Sequence, residues 1–539
     1  MSRRDTSIPA RRPRAINRQV VYNPSKGFNN LVSPSLIDDR EFSDAQNIEY
    51  DEGGVARKRS GYSPVISGLT AGKGLANFVT ETYRHICTVD NGTFKYSAAG
   101  SFTDVNTVSF TAANEIAFTQ ATDDLYIWDG ASGGAKWNGT TLSRPGTIPK
   151  AKFSIYYQSV HLAAGVDGQP NRLFISATDD ASMFTRNTGF VHNSTEVPGA
   201  SVFTDSTAPQ AYFIDIRKND GDRITGLARY QDIVLVFKER SVYQFYFDAN
   251  SNPVVSLVTG STGCVGHQTI EAVENDIYFL SREGIRVIGN EPNFFTSIRT
   301  NVLSIRIQPT VDSINPQYFN KCKAHYFDNK YFLSVPTTSS DIAMTLVYDR
   351  RFQSWSRWTN FNSTAYIKYV DTTNTEHFYF LSSDGTEVME FIEGQYSDDG
   401  VAIDAFLVSK AFDAKNPDIM KYWVDIGLVF RRLAGQVDVT VYTDGGALLG
   451  TGTISQGSVD GMGLLPLGQQ GLGFGTMETS EDTLFSDEPQ RVVVNTNSRT
   501  VKFKVQNNRL NEGFVFLGYI LAYFPFTHYV FDSSRKIYL

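Results

Sequence analysis

The sequence predicts an all-β protein, in which a β-propeller of six or seven blades is followed by a C-terminal antiparallel β-sandwich. Aromatic residues make up 13% of the 539 residues, and 43 glycines with only 7 methionines favour strands and tight turns over helix bundles. From about residue 74 to residue 400, short apolar strands recur between Asp-Gly or Asn-Gly corners, and helical periodicity is nearly absent. Such small units cannot bury their own faces, so we expect them to stack into a closed ring that removes exposed edges.

The first 25 residues form an arginine-rich arm with several prolines and a single acidic residue, Asp5. Such a composition cannot pack a core, so the arm is either a solvated tail or a segment laid along an acidic protein or DNA. The residues assigned to partner binding are Arg3, Arg4, Arg11, Arg12, Arg14 and Arg18.

Residues 47–59 predict a β-hairpin. Ile48 and Tyr50 alternate with acidic residues, Gly53 and Gly54 tolerate positive φ at the corner, and Arg57 lies in a basic return strand. Propeller rings are usually closed by adding a strand from one end of the chain to the blade at the other end. We therefore expect these residues to close a propeller that spans residues 26–400.

Residues 178–222 interrupt the blade rhythm because they are rich in Asp, Ser, Thr and Asn, and we interpret them as an insertion between blades. After residue 400 the strands become longer, and Val437, Val439 and Val441 alternate with polar residues. This pattern is typical of a sandwich, which we place at residues 401–539 together with a C-terminal tail.

A glycine-rich stretch at residues 445–475 is too long for a hairpin turn and predicts a long loop within the sandwich. We interpret it as a gate or an interface loop. Its central residues are Gly461, Met462, Gly463, Leu464 and Leu465.

The N-terminal region resembles a signature of the tail nozzle proteins of short-tailed bacteriophages, also called tail tubular protein B or packaged-DNA stabilisation proteins. The elements that carry the resemblance are Gly27 and Asn29, the acidic turn 38–41, Asn47 with Asp51, Gly53 with Gly54, and Arg59 with Gly61. In the C-terminal region, residues 410–413, Pro417 with Asp418, and the segment 423–426 are similar to the return from propeller to sandwich in that family.

The resemblance implies a structural virion protein of the phage tail, a homohexamer beneath an adaptor or portal ring that retains packaged DNA and passes it during ejection. It implies contacts with the portal ring, with tail fibres or other tail proteins, and with double-stranded DNA that passes without sequence-specific binding. The net charge of -8 agrees with this expectation, because an acidic wall repels phosphate and does not grip the DNA.

Two other functions stay open at the level of sequence. The chain could be a propeller that binds host surface glycan or protein, as a tail adhesin does, with the segment 178–222 as the place to look. A propeller hydrolase ranks lowest, because adjacent acidic residues on a strand point to opposite faces and no convergent acid pair can be named.

We expect no enzyme activity, no cofactor and no metal. The three cysteines, Cys87, Cys264 and Cys322, are far apart and indicate neither a disulfide framework nor a zinc site. The N-terminus lacks the apolar run of a signal peptide, and the longest apolar run is too short for a membrane anchor. We therefore expect synthesis in the bacterial host cytoplasm and a final location in the virion.

Overall fold

The structure, a computed structural model, describes residues 16–98, 100–184, 189–192, 211–291, 294–339, 341–371, 373–455 and 489–525. The chain divides into two compact units, Ser60–Ile403 and a second unit made of Met1–Arg59 with Asp404–Leu539. Both units are built almost entirely from strands. The helices are short: an α-helix at Gln308–Asp312 and 3-10 helices at His267–Thr269, Ile305–Ile307, Pro316–Lys321 and Asp444–Gly446. Among the described residues, no helix is long and apolar enough to cross a membrane.

The described part of the chain starts with four strands that belong to the second unit. They are β1 (Asn17–Tyr22), β2 (Asp44–Gln46), β3 (Ile48–Tyr50) and β4 (Ala56–Lys58). The next strand, β5 (Gly61–Ile66), already belongs to the first unit.

The first unit is a seven-bladed β-propeller in the described residues, with four antiparallel strands in each blade. Blade 1 comprises β6 (Gly72–Val79), β7 (Arg84–Asp90), β8 (Thr93–Ser97) and β9 (Thr103–Ser109). Blade 2 comprises β10 (Ala117–Ala121), β11 (Asp124–Trp128), β12 (Ala135–Trp137) and β13 (Leu142–Ser143). Blade 3 comprises β14 (Phe153–Tyr157), β15 (Val160–Ala164), β16 (Arg172–Ile175) and β18 (Tyr212–Ile216), with β17 (Gly189–His192) added parallel to β18.

Blades 4 to 7 continue the same order. Blade 4 comprises β19 (Ile224–Tyr230), β20 (Ile233–Lys238), β21 (Val242–Phe247) and β22 (Pro253–Thr259). Blade 5 comprises β23 (Glu271–Val273), β24 (Asp276–Ser281), β25 (Gly284–Glu291) and β26 (Phe294–Val302). Blade 6 comprises β27 (Lys323–Phe327), β28 (Lys330–Pro336), β29 (Ile342–Asp349) and β30 (Ser354–Trp358), and blade 7 comprises β31 (Ser363–Val370), β32 (Glu376–Ser382) and β33 (Val388–Ile392) with β5. A short pair, β34 (Ser397–Asp398) and β35 (Val401–Ala402), follows blade 7.

The first strands of the blades contact one another around a complete circle. Each of β6, β10, β14, β19, β23 and β27 contacts the first strand of the next blade, and β31 contacts β6 again. This closed circle confirms the predicted propeller and gives seven blades, the larger of the two predicted numbers.

Blade 7 is closed by β5, which pairs antiparallel with β33 so that Gly61 lies opposite Ile392 and Tyr62 lies opposite Phe391. The predicted ring-closing role of the hairpin 47–59 is therefore wrong, although a strand from the start of the chain does close the ring. The hairpin instead pairs with Gly513–Pro525, the last strand of the described residues, and buries its apolar Ile48 and Tyr50 in the second unit. The predicted propeller boundary at residue 26 is wrong for the same reason, and the propeller starts at Ser60.

The predicted insertion at 178–222 contains the fourth strand of blade 3. Tyr212–Ile216 pairs with β16, and its Ile214 and Ile216 are fully buried. The polar composition around this short strand concealed it, so the insertion is shorter than the sequence predicted.

Ring closure depends on a glycine at position 61. A Cβ added there would lie 1.9 Å from the carbonyl oxygen of Ser397, far inside van der Waals contact. The backbones of β5 and the 397–398 strand can approach this closely only without a side chain. Gly61 is thus an architectural residue of blade 7.

We expect Gly61→Ala to lower the free energy of unfolding by about 3 kcal/mol, because the backbone of blade 7 must move apart. Urea unfolding followed by tryptophan fluorescence measures the change. Gly146→Ala is the matched control, since no atom lies within 4 Å of its added Cβ. Equal stability of the two variants would contradict the closure argument.

The second unit is a sandwich of two sheets. Its C-terminal strands are β36 (Ala405–Val408), β37 (Lys421–Ala434), β38 (Gln436–Thr443), β39 (Ala447–Ser455), β40 (Gln490–Ser498), β41 (Val501–Asn507) and β42 (Gly513–Pro525). One sheet has the order β3-β4-β42-β37-β40 with β1 also on β42, and the other contains β2-β36-β41-β38-β39. The predicted sandwich is confirmed, with the N-terminal strands as additional members.

The sandwich core follows the predicted alternation. Val437, Val439 and Val441 are buried, and Phe503 of the opposite strand stacks edge-on against Tyr519 of the other sheet at 5.2 Å between ring centroids. Their polar neighbours face outward, where Lys504 lies over the ring of Phe406. Burial of each such apolar side chain stabilises the unit by about 1.5–3 kcal/mol.

Asn47 connects the start of the hairpin to its end. Its side-chain oxygen accepts a hydrogen bond from Nε of the fully buried Arg59 at 3.0 Å, and its amide donates to the carbonyl of Asp404 at 2.8 Å. The backbone of Asn47 is left-handed, with φ of 54°, a conformation that asparagine tolerates.

We expect Asn47→Ala to lower the free energy of unfolding by about 2–3 kcal/mol, because it leaves a buried guanidinium short of an acceptor. Asn511→Ala separates this effect from backbone strain, since Asn511 has φ of 58° and is exposed. If chemical denaturation gave the same loss for both variants, the Asn47 side chain would have no special role.

Candidate functional site

The arm residues predicted to bind partners lie almost entirely outside the described residues, which start at residue 16. Arg18 alone is described, and it lies in β1 opposite Ala522 of β42 with its side chain exposed. Residues 461–465, predicted as a gate or interface loop, also lie outside the described residues. The described start of the glycine-rich stretch is strand rather than loop, because Ala447–Ser455 pairs with β38 along its whole length.

The five hairpin residues come together as predicted. Ile48 and Tyr50 are buried, Gly54 has φ of 75°, and Arg57 forms an ion pair of 3.0 Å with Glu49 across the two strands. Because this hairpin lies within a sheet of the sandwich, its residues serve the architecture of that unit.

A cavity of about 910 Å³ lies at one mouth of the propeller. Two kinds of connection line it: the segments that lead into the first strands of blades 2 to 6, and the turns between the second and third strands of blades 2 to 5. Both kinds end on the same face of a four-stranded blade, so a propeller gathers them around its axis. The 3-10 segment Pro316–Lys321 forms part of the wall.

Glu115 is the centre of one polar cluster in this cavity. Its carboxylate lies 2.5 Å from Nζ of Lys323 and 3.9 Å from Nζ of Lys321, and Lys323 also donates to the side-chain oxygen of Gln268. Burial would raise the pKa of Glu115, but the charge of Lys323 outweighs it and holds that pKa below its ordinary value. Glu115 is therefore a stable carboxylate.

A second cluster is formed by blades 4 and 5. The carboxylate of Glu239 accepts from Nε of Arg223 at 2.6 Å and from Nη2 of Arg282 at 3.2 Å. Both guanidinium groups remain more than half exposed, so their other N–H groups point to solvent or to a ligand.

His267 supplies an aromatic wall. Its ring stacks on Phe153 at 4.8 Å between centroids, and its Nδ1 accepts a hydrogen bond from the backbone N–H of Leu227 at 3.4 Å. Burial, assisted by the charge of Lys323, lowers the pKa of His267 to about 4. The imidazole is therefore neutral near pH 7 and behaves as an apolar ring with a polar edge.

The mouth combines charged, amide and aromatic side chains. In each of the two clusters above, two cationic side chains share one carboxylate. Over the described ranges, no group of three or more His, Cys, Asp or Glu side chains is placed to hold a metal ion.

The sequence analysis did not single out the mouth residues. A signal was present, since the corners at Asp129-Gly130 and Asp167-Gly168 each follow the second strand of a blade, and both corners line the cavity. Recognising that such corners share one face requires the blade register, which composition and spacing do not supply.

No protein-family model matches the chain, and no curated protein matches it in sequence. Similar solved structures include YCF48 from Cyanidioschyzon merolae (10% identity, TM-score 0.38, covering 62% of this chain and 98% of that chain) and BamB from Moraxella catarrhalis (9% identity, TM-score 0.34, covering 62% and 98%). The computationally designed Ika8 protein is similar at 13% identity and a TM-score of 0.36, covering 62% of this chain and all of its own. The class of the protein is a β-propeller joined to a β-sandwich, as the strand pairing above defines it.

We expect His267 to make the protein less stable in mild acid. Its folded pKa of about 4 lies below the ordinary value of 6.5, so the unfolded chain binds the extra proton first as the pH falls. The contribution of neutral His267 to the free energy of unfolding is complete above pH 6.5. It is lost progressively as the pH falls towards 4, by up to about 1.4 kcal/mol per pH unit. Urea titrations of the wild type and His267→Gln across this range should show a shallower pH dependence for the variant.

His377 provides a control of opposite sign. Burial would lower its pKa, but hydrogen bonds to Glu390 and Asp371 raise it above the ordinary value. Protonated His377 stabilises the folded state below about pH 6.5, and this stabilisation disappears as the pH rises through the raised pKa. His377→Gln should therefore lower the free energy of unfolding mainly at low pH. The same direction of change in both variants would contradict these assignments.

Proposed function

We propose that this protein is a non-enzymatic structural subunit of a bacteriophage tail, which assembles with copies of itself into the nozzle that retains packaged DNA and passes it during ejection. The observation that carries the proposal is an exposed pair of edge strands on the sandwich, which offers a surface for a second copy of the chain. The proposed ring is a homohexamer that meets an adaptor or portal ring and tail fibres or other tail proteins.

The edge strands are β39 and β40, which contact each other and end the two sheets in the described part of the chain. Each is nine residues long. Three large apolar side chains on them point to solvent: Leu448 is 63% exposed, Leu449 41% and Val493 59%. Long edges with apolar side chains favour pairing with another chain, so a partner that covers them stabilises the assembly.

The resemblance to the nozzle family also agrees with the positions of its signature residues. Asn47, Asp51 and Arg59 organise the hairpin of the sandwich, and Gly61 permits closure of the propeller. The acidic turn at 38–41 also makes structural contacts. The carboxylate of Asp39 accepts a hydrogen bond from Lys410 at 2.9 Å and one from Gln19 at 2.9 Å. A signature whose residues order the backbone of the fold suits a structural protein.

Charge supports the role of a conduit. The chain carries 57 acidic against 49 basic residues, so its overall charge is negative. An acidic channel wall offers few cations to phosphates, so DNA can move past it without tight binding.

We expect the wild type to form rings of about six subunits, and Leu448→Lys with Val493→Lys to shift the protein towards monomers, because a charge in an apolar contact opposes association. Sedimentation velocity and negative-stain imaging measure the distribution. Val401→Lys is the matched control, since Val401 is 57% exposed and lies on the propeller.

A wild type that stays monomeric at all concentrations, both alone and in tail particles, would overturn the proposal. Rings that persist unchanged in the double variant would instead show that the subunit contact lies elsewhere on the molecule.

A further inference from the structure

The cavity at the propeller mouth supports a second inference, which does not depend on the proposed role in a phage tail. It has a volume of about 910 Å³, within the range of ligand sites, and its walls are complete within the propeller unit. We propose that this mouth binds a neutral oligosaccharide.

The first argument is the balance of charge. The lining holds four cationic side chains, Lys152, Arg223, Arg282 and Lys321, and four carboxylates, Glu115, Asp129, Asp167 and Glu239. Nearly all of them are paired with each other, as in the contact of 2.7 Å between Lys152 and Asp167. Four cations and four carboxylates give the lining no formal net charge, so it does not attract a charged ligand by its net charge, whereas a neutral ligand can hydrogen-bond to its groups.

The second argument is the pattern of hydrogen-bonding groups. A sugar hydroxyl both donates and accepts, so it is matched best where a donor and an acceptor lie side by side. The Glu239 carboxylate between two guanidinium groups is such a place, because Arg223 and Arg282 are 65% and 55% exposed and keep N–H groups available. The exposed amides of Gln317 and Asn320 supply further groups that donate and accept.

The third argument is the apolar part of the wall. Sugar rings carry a C–H face that packs on aromatic side chains, and the mouth offers Phe319 and the neutral ring of His267, which is backed by the buried Phe153. A peptide that binds by strand addition needs an open strand edge, and the lining here consists mainly of connections between strands.

Ligand-observed NMR by saturation transfer tests the inference on the purified full chain. The probes are the neutral tetrasaccharides of glucose (α-1,4 and β-1,4), of mannose and of N-acetylglucosamine, with a sulfated heparin tetrasaccharide and a polar tetrapeptide as alternatives. At ligand concentrations of about 5 mM, a dissociation constant near 1 mM still gives a strong signal. We expect saturation transfer to at least one neutral probe and to neither alternative.

Two variants connect the signal to the mouth. Arg223→Gln combined with Arg282→Gln should weaken binding by about fivefold to tenfold, the effect of losing one or two hydrogen bonds. Arg229→Gln is the matched control. Strand β19 starts directly after Arg223, and Arg229 is exposed near the far end of that strand. Thermal unfolding of all variants confirms that the propeller is intact.

The inference is overturned if no neutral probe receives saturation, if only the sulfated probe or the peptide binds, or if the double variant binds as tightly as the control. Each result leaves the tail proposal untouched, since subunit assembly is measured separately. Conversely, a chain that stays monomeric and binds a neutral tetrasaccharide would support the binding site at the mouth and overturn the nozzle proposal.

Discussion

The structure depends on strand pairs that join the two ends of the sequence. Arg57 lies opposite Val515 in the sandwich, and only four residues later Gly61 lies opposite Ile392 in blade 7. Neither unit can complete its sheets from a continuous stretch of chain. Loop closure must precede such pairing, so the sandwich sheets are completed only once the C-terminal strands are available, and blade 7 only once Val388–Ile392 is.

This constraint explains the chemistry of residues 38–61. A segment that pairs with distant strands must have its polar groups satisfied within folded sheets, so it carries buried charged residues with specific partners. Lys58 is fully buried and donates to Asn507 at 2.7 Å, and Arg59 is fully buried beside Asn47. Such contacts are costly when broken and therefore help to select one register over others.

The propeller mouth follows a different physical rule. Its side chains come from connections rather than strands, and their charges compensate one another locally. Blade cores, by contrast, are aromatic: Trp355 and Trp358 are buried, and Trp358 packs against Phe332 and Phe361. The rigid core holds the connections in place, and the connections are the part that can meet a ligand.

The sequence by itself determined the strand content, the approximate blade pattern, the hairpin at residues 47–59 and the alternating core of the sandwich. These features depend on local periodicity and turn residues, which a single segment expresses completely. Only the tertiary structure decided which sheet the hairpin joins, that Gly61 closes the ring, that Tyr212–Ile216 is a blade strand, and that Glu115, Glu239 and His267 meet at one mouth. Those facts depend on pairing between residues far apart in the chain, and an apolar strand of a given pattern fits more than one sheet until its partners are in place.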